Sequence, residues 1–116
     1  MKVVYVAHPF TGNEEENRDD AREIVAGLYG SNPDADTVYI NPLDNFAAAD
    51  FAGVGYEKAM KCCLELVARA DAVLVCPGWE ESKECRMEVE HAIKLGKPVA
   101  PVELTARFVE IKEPEE

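Results

Sequence analysis

Glu88 is the residue whose placement most invites chemistry. On a helix expected from Ser82 to Gly96 it has Cys85, Ala92 and Leu95 as its i−3, i+4 and i+7 neighbours, so it stands on the shoulder of an apolar stripe of Cys85, Val89, Ala92 and Ile93. Glu90 and Lys94 point further toward water. A carboxylate held there is half-desolvated, which makes it a candidate for nucleophilic or acid–base work. Spacing alone fits a solvated helix glutamate still better, because boundary glutamates on helices are common.

The remaining candidates come from two loops and two strands. His8 and Phe10 lie in the loop His8-Pro9-Phe10-Thr11-Gly12, and Gly78, Trp79 and Ser82 lie in a second loop. Facing each other at the carboxyl ends of neighbouring parallel strands, the loops would form a crevice of the kind in which open α/β sheets bind ligands. Tyr5 would reach it from the end of the first strand and Asp71 from the base of the third. His8 is a candidate ligand contact, with a satisfied surface histidine as the equal alternative.

The elements that must position these groups alternate along the chain. Lys2 to Ala7 is a short apolar run that reads as a buried strand. Asn13, with Glu16 three residues on, suits a capping box, and Ala21, Ile24, Val25 and Leu28 recur at helical spacing up to Gly30. Thr37 to Ile40 is a second strand closed by Asn41-Pro42. Residues 45–55 are the least regular, a place for a lid or an oligomer contact. Tyr56 to Ala70 is a helix with Met60, Cys63, Leu64, Val67 and Ala68 on one face. Ala72 to Cys76 is a strand buried on both sides, stopped by Pro77-Gly78. Gly96 and Pro98 end the next helix, and a fourth strand starts at Val99. Such alternation predicts a three-layer α/β fold, flavodoxin-like or Rossmann-like. Its parallel sheet should run in the order 2-1-3-4, with a possible fifth strand or short helix in residues 104–111 and helices on both faces. Residues 1–111 form one domain, and 112–116 read as a flexible acidic tail.

Composition narrows the classes. With 116 residues there is room for one core, and 23 acidic against 12 basic residues, a net charge of −11, disfavour nucleic-acid polymers and membrane surfaces as partners. Cys62, Cys63, Cys76 and Cys85 form no CxxC pair and have no histidine at zinc spacing, so they read as reduced packing residues and no metal is expected. No cofactor is expected either, since the glycine patterns of dinucleotide binding and of the P-loop are missing. The five-residue apolar run after Met1-Lys2 is short for a signal peptide, and no stretch approaches a membrane span, so a cytoplasmic location is expected.

Taken together, YVAHPFTG with Asn17, Asn41-Pro42, ADAVLVCPGWEESK and GKPV resemble the nucleoside 2-deoxyribosyltransferase superfamily, and within it the small branch of bacterial and phage domains called DUF4406. The resemblance spans residues 2 to 102. In that superfamily the catalytic glutamate lies eight residues before the glycine of GKP, which is Glu88 here. Tyr5 matches the tyrosine that holds this carboxylate, Asp71 the acid opening the third strand, and Ser82 the residue contacting the 5′ end of the sugar.

The resemblance implies cleavage of an N-glycosidic bond in a deoxynucleoside or its 5′-monophosphate through a glycosyl ester on Glu88, released by water or by another base. It implies that Asp71 protonates the departing base and that Trp79 and Phe10 stack on it, with a core lid as the other reading of Trp79. It also implies a homodimer or larger homo-oligomer, with residues 43–56 or the tail at the contact. Two departures bear on substrate choice. Glu84 stands where the superfamily has glycine and would repel a 5′-phosphate, for which Arg86 and Arg18 are the nearest cationic partners. Gly53-Val54-Gly55-Tyr56-Glu57 copies the string around the nucleophile of the monophosphate hydrolases, yet it precedes the third strand. The alternatives from other classes are a nucleotide-binding sensor without turnover and an oligomeric scaffold.

Overall fold

A computed structural model describes residues 1–47, 49, 52–104 and 109–111. Strand β1 (Lys2–Ala7) is followed by helix α1 (Glu14–Ser31), β2 (Thr37–Ile40) and the single-turn helix α2 (Pro42–Asn45). Then come α3 (Tyr56–Arg69), β3 (Ala72–Val75), a 3₁₀ turn (Trp79–Glu81), α4 (Lys83–Lys94), β4 (Val99–Leu104) and β5 (Val109–Ile111). The sheet order is β2-β1-β3-β4-β5. The first four strands are parallel, as short alternating links require, and β5 pairs antiparallel to β4 with Val102 opposite Ile111. The expected flexible tail, residues 112–116, lies outside the described residues, as do 105–108.

Strand alternation divides the core into two layers. Val4, Val6, Leu74, Ala100 and Val102 face α1, where Ile24 and Leu28 meet them, while Tyr5, Ala7, Val73 and Val75 face α3 and α4 and meet Val67, Cys85, Val89 and Ala92. Leu28 is fully buried, so truncation to alanine should cost about 2–5 kcal/mol. Tyr29 and Tyr39 meet edge to face at 4.9 Å, and the Tyr29 hydroxyl accepts the Tyr39 N–H at 2.9 Å. These contacts tie β2 to the last turn of α1.

The ends of α4 form as its sequence dictates. The Ser82 Oγ accepts the Cys85 N–H at 3.3 Å, an N-cap. Gly96, at φ +72°, takes the left-handed conformation while Lys97 N–H and Gly96 N–H close on Ala92 O and Ile93 O at 2.9 and 3.0 Å, a Schellman stop. Between those ends the buried stripe is Cys85, Glu88, Val89 and Ala92. Ile93, expected in that stripe, is 63% exposed; the helix is rotated so that Glu88 takes the inward place. At α1 the expected capping box is absent, since the Asn13 side chain makes no capping hydrogen bond.

Candidate active site

Glu88 is more deeply buried than its sequence position suggests, at 4% exposure, and Tyr5 beneath it is at 0%. Tyr5 rises from β1 on the face covered by α3 and α4, and its hydroxyl donates a hydrogen bond to Glu88 Oε2. Burial pushes the Glu88 carboxyl up from 4.5 to about 7; the Tyr5 hydrogen bond opposes this, and the charge of Glu84, one turn earlier, adds to it. Tyr5 itself is held well above the usual phenol range, first by burial and then by the Glu88 charge. The Cys63 thiol is raised to about 11, chiefly by burial. Only Glu88 of this trio therefore changes charge near neutral pH.

Above Glu88 opens a cleft of about 410 Å³, within the usual size of small-molecule sites. One wall is the β1–α1 loop with His8, Phe10 and Thr11; another is the end of β2 and α2 with Pro42, Leu43 and Phe46. Gly53, Gly55, Tyr56, Ala59, Met60 and Cys63 supply the third, and Glu84 and Glu88 the floor and rim. All of these elements meet at the carboxyl ends of β1 and β2, where a parallel sheet leaves room for ligands. Phe10 is braced from behind, with the Arg18 guanidinium 5.2 Å from its ring centroid and the Asn17 amide donating to its carbonyl at 2.9 Å.

Of the residues singled out in the sequence, the structure brings Tyr5, Glu88, His8 and Phe10 together. His8 is 6% exposed, not a surface histidine; its Nδ1 meets Pro9 O and its Nε2 meets Asp20 Oδ2, each at 2.7 Å. Both ring nitrogens face acceptors, so the ring donates to both only when it carries two protons. Asp71 is not in the cleft. It precedes β3 at the amino ends of the strands, exposed, with Oδ2 accepting the Val3 N–H at 2.7 Å. A parallel strand separates its base from its tip, so an acid opening β3 cannot serve a site beyond its end.

Trp79 is outside the cleft as well. It packs on the outer side of the core and shares a shallow groove with Lys83, Arg86, Met87, Val89 and Glu90. Ser82 caps α4 and does not line the cleft. Gly12 (φ +109°) and Gly78 (φ +87°) serve turns, and a Cβ on Gly78 would lie 3.6 Å from Pro9 Cγ. The two loops expected to flank a crevice therefore touch each other, and the cavity opens beside them toward α2 and α3. Sequence reasoning missed most of that side. Gly53, Gly55 and Tyr56, discounted because they precede β3, line the cleft from the start of α3. The usable signal was Asn41-Pro42, which places the next segment at the same end of the sheet as His8.

Fold and site define a three-layer α/β domain with an acid-floored apolar cleft at the carboxyl edge of its parallel strands. The chain belongs to the family described as Domain of unknown function (DUF4406), whose pattern matches residues 2–101, a span containing every residue named in the cleft. No curated protein and no solved structure matches the chain. Among the described residues no three His, Cys, Asp or Glu side chains converge to hold a metal ion, and no helix is long and apolar enough to cross a membrane.

Proposed function

We propose that this protein cleaves the N-glycosidic bond of a nucleoside or its 5′-monophosphate, or transfers the deoxyribosyl group, with Glu88 as nucleophile. The observation that carries the proposal is the buried Glu88 carboxylate, held by Tyr5 on the floor of an apolar cleft large enough for a base and a sugar. The likeness of the chain's motifs to nucleoside 2-deoxyribosyltransferases supports the same chemistry. Tyr5 fixes one carboxylate oxygen and leaves the other for attack on C1′. As the Glu88–C1′ bond forms, the C1′–N bond breaks and its electron pair leaves with the base, through an oxocarbenium-like state that a nearby carboxylate stabilises. The base takes its proton from solvent at the cleft mouth, because Asp71 lies at the other end of β3. Water or a second base then opens the ester and frees Glu88. Phe10, Phe46 and Tyr56 offer the aromatic surface a base would stack on.

The same proposal carries a homodimer or larger homo-oligomer in contact through residues 43–56 or the tail, of which 48, 50, 51 and 112–116 lie outside the described residues. A second reading, binding of a nucleotide without turnover, is favoured by one observation: Asp71, the acid expected to protonate the departing base, lies at the opposite end of β3 from the cleft. Base release from the four deoxynucleosides and their 5′-monophosphates separates the two. Release by the wild type that Glu88→Ala abolishes supports the glycosidase, and saturable binding without release supports the sensor.

A further inference from the structure

We infer that Glu84 makes this cleft reject anions, so that within the proposed activity, on which this step rests, the substrate is the unphosphorylated nucleoside and not its 5′-monophosphate. Glu84 lies one helical turn before Glu88 on α4 and borders the same cleft. Its Oε1 accepts a hydrogen bond from the Thr11 hydroxyl at 2.5 Å, which pins the carboxylate across the rim between α4 and the β1–α1 loop. Burial is the main cause that raises the Glu88 carboxyl and the Tyr56 phenol, and the Glu84 charge adds to both.

Among the described residues, none of the cleft-lining side chains is Lys or Arg. His8, which lines the cleft, holds its ring nitrogens against Pro9 O and the Asp20 carboxylate, so any charge it carries is already paired with Asp20. Arg18, the basic residue nearest by its contacts, lies over the Phe10 ring and donates to Leu43 O at 3.4 Å. An entering phosphate would meet Glu84 and Glu88 together in a site of reduced polarity, where like charges repel more strongly than in water. A neutral 5′-hydroxyl meets no such barrier and finds an acceptor in the Glu84 carboxylate.

The test uses two dyes and then substrates. N-Phenyl-1-naphthylamine is uncharged, and 8-anilinonaphthalene-1-sulfonate carries the same ring system with one negative charge. The wild type should bind the neutral dye at least about tenfold more tightly, Glu84→Gln should narrow that ratio about fivefold or more, and Glu84→Asp should keep it. Equal affinity in the wild type, no binding of the neutral dye, or a ratio unchanged in Glu84→Gln would overturn the inference. With substrates, kcat/KM for the deoxynucleoside should exceed that for its 5′-monophosphate by about tenfold or more, again narrowing in Glu84→Gln; a preference for the monophosphate overturns it. Dye discrimination that survives while no nucleoside turns over would sink the glycosidase proposal and leave charge selection standing.

Discussion

Replacing Glu88 by glutamine should stabilise the protein, and only at neutral and alkaline pH. In the native state the carboxyl titrates near 7, and in the unfolded chain near the ordinary 4.5. Between those values the native state holds a proton that the unfolded state has lost, so stability falls as pH rises through the window and the loss is complete above about 7. At about 1.4 kcal/mol per tenfold displacement, a carboxyl moved from 4.5 to about 7 makes the ionised native state worse by about 3 kcal/mol. Solvent offers little relief at 4% exposure. Glutamine keeps an oxygen for the Tyr5 hydroxyl and adds no charge, so the variant escapes this penalty. Urea denaturation at pH 4.5, 6, 7 and 8 measures it. The two proteins should agree within about 1 kcal/mol at pH 4.5, and the variant should be about 3 kcal/mol more stable at pH 8, a midpoint shift of roughly 2 M. Titration of the other carboxylates is common to both proteins and cancels in the difference. A difference that stays flat with pH, or a wild type more stable at pH 8, would refute the buried, poorly hydrated Glu88.

Other perturbations separate the floor of the cleft from its surroundings. Tyr5→Phe removes the hydrogen bond that holds the Glu88 carboxyl down, so the pH at which Glu88 ionises should rise above about 7, seen by carbon NMR of its carboxyl; an unchanged titration would deny the contact. Ser82→Ala removes the cap of α4 and should cost about 1 kcal/mol of stability, with KM unaffected, whereas a rise in KM alone would make Ser82 a ligand contact. Asp71→Ala should lose about 1 kcal/mol with the hydrogen bond to Val3 and leave base release intact; loss of turnover at unchanged stability would put Asp71 back in the chemistry.

The architecture was legible because each strand announces itself as a short apolar run and each link is too brief for anything but a parallel crossover. Helix α4 was legible at both ends, where Ser82 and Gly96 act through local hydrogen bonds. Its face was less so. Apolar periodicity assigns Ile93 inward and cannot assign a glutamate there, yet a partner waits across the chain at Tyr5, and that contact pulls Glu88 in and turns Ile93 out. Asp71 and Trp79 misled because their neighbours in the chain are near the site while strand direction and helix rotation carry their side chains elsewhere. The α2–α3 wall escaped notice because Phe46 and Gly53 belong to the least patterned stretch and Tyr56 opens the helix after it, and only the closing of the sheet brings them over Glu88.

The most direct test of Glu88 as nucleophile is intact-protein mass spectrometry on reactions with each deoxynucleoside quenched in acid, followed by peptide mapping. A deoxyribosyl adduct on the peptide bearing Glu88, absent from Glu88→Gln, is the predicted result. Base released at the same rate by Glu88→Ala as by the wild type, with no adduct on either, would contradict it.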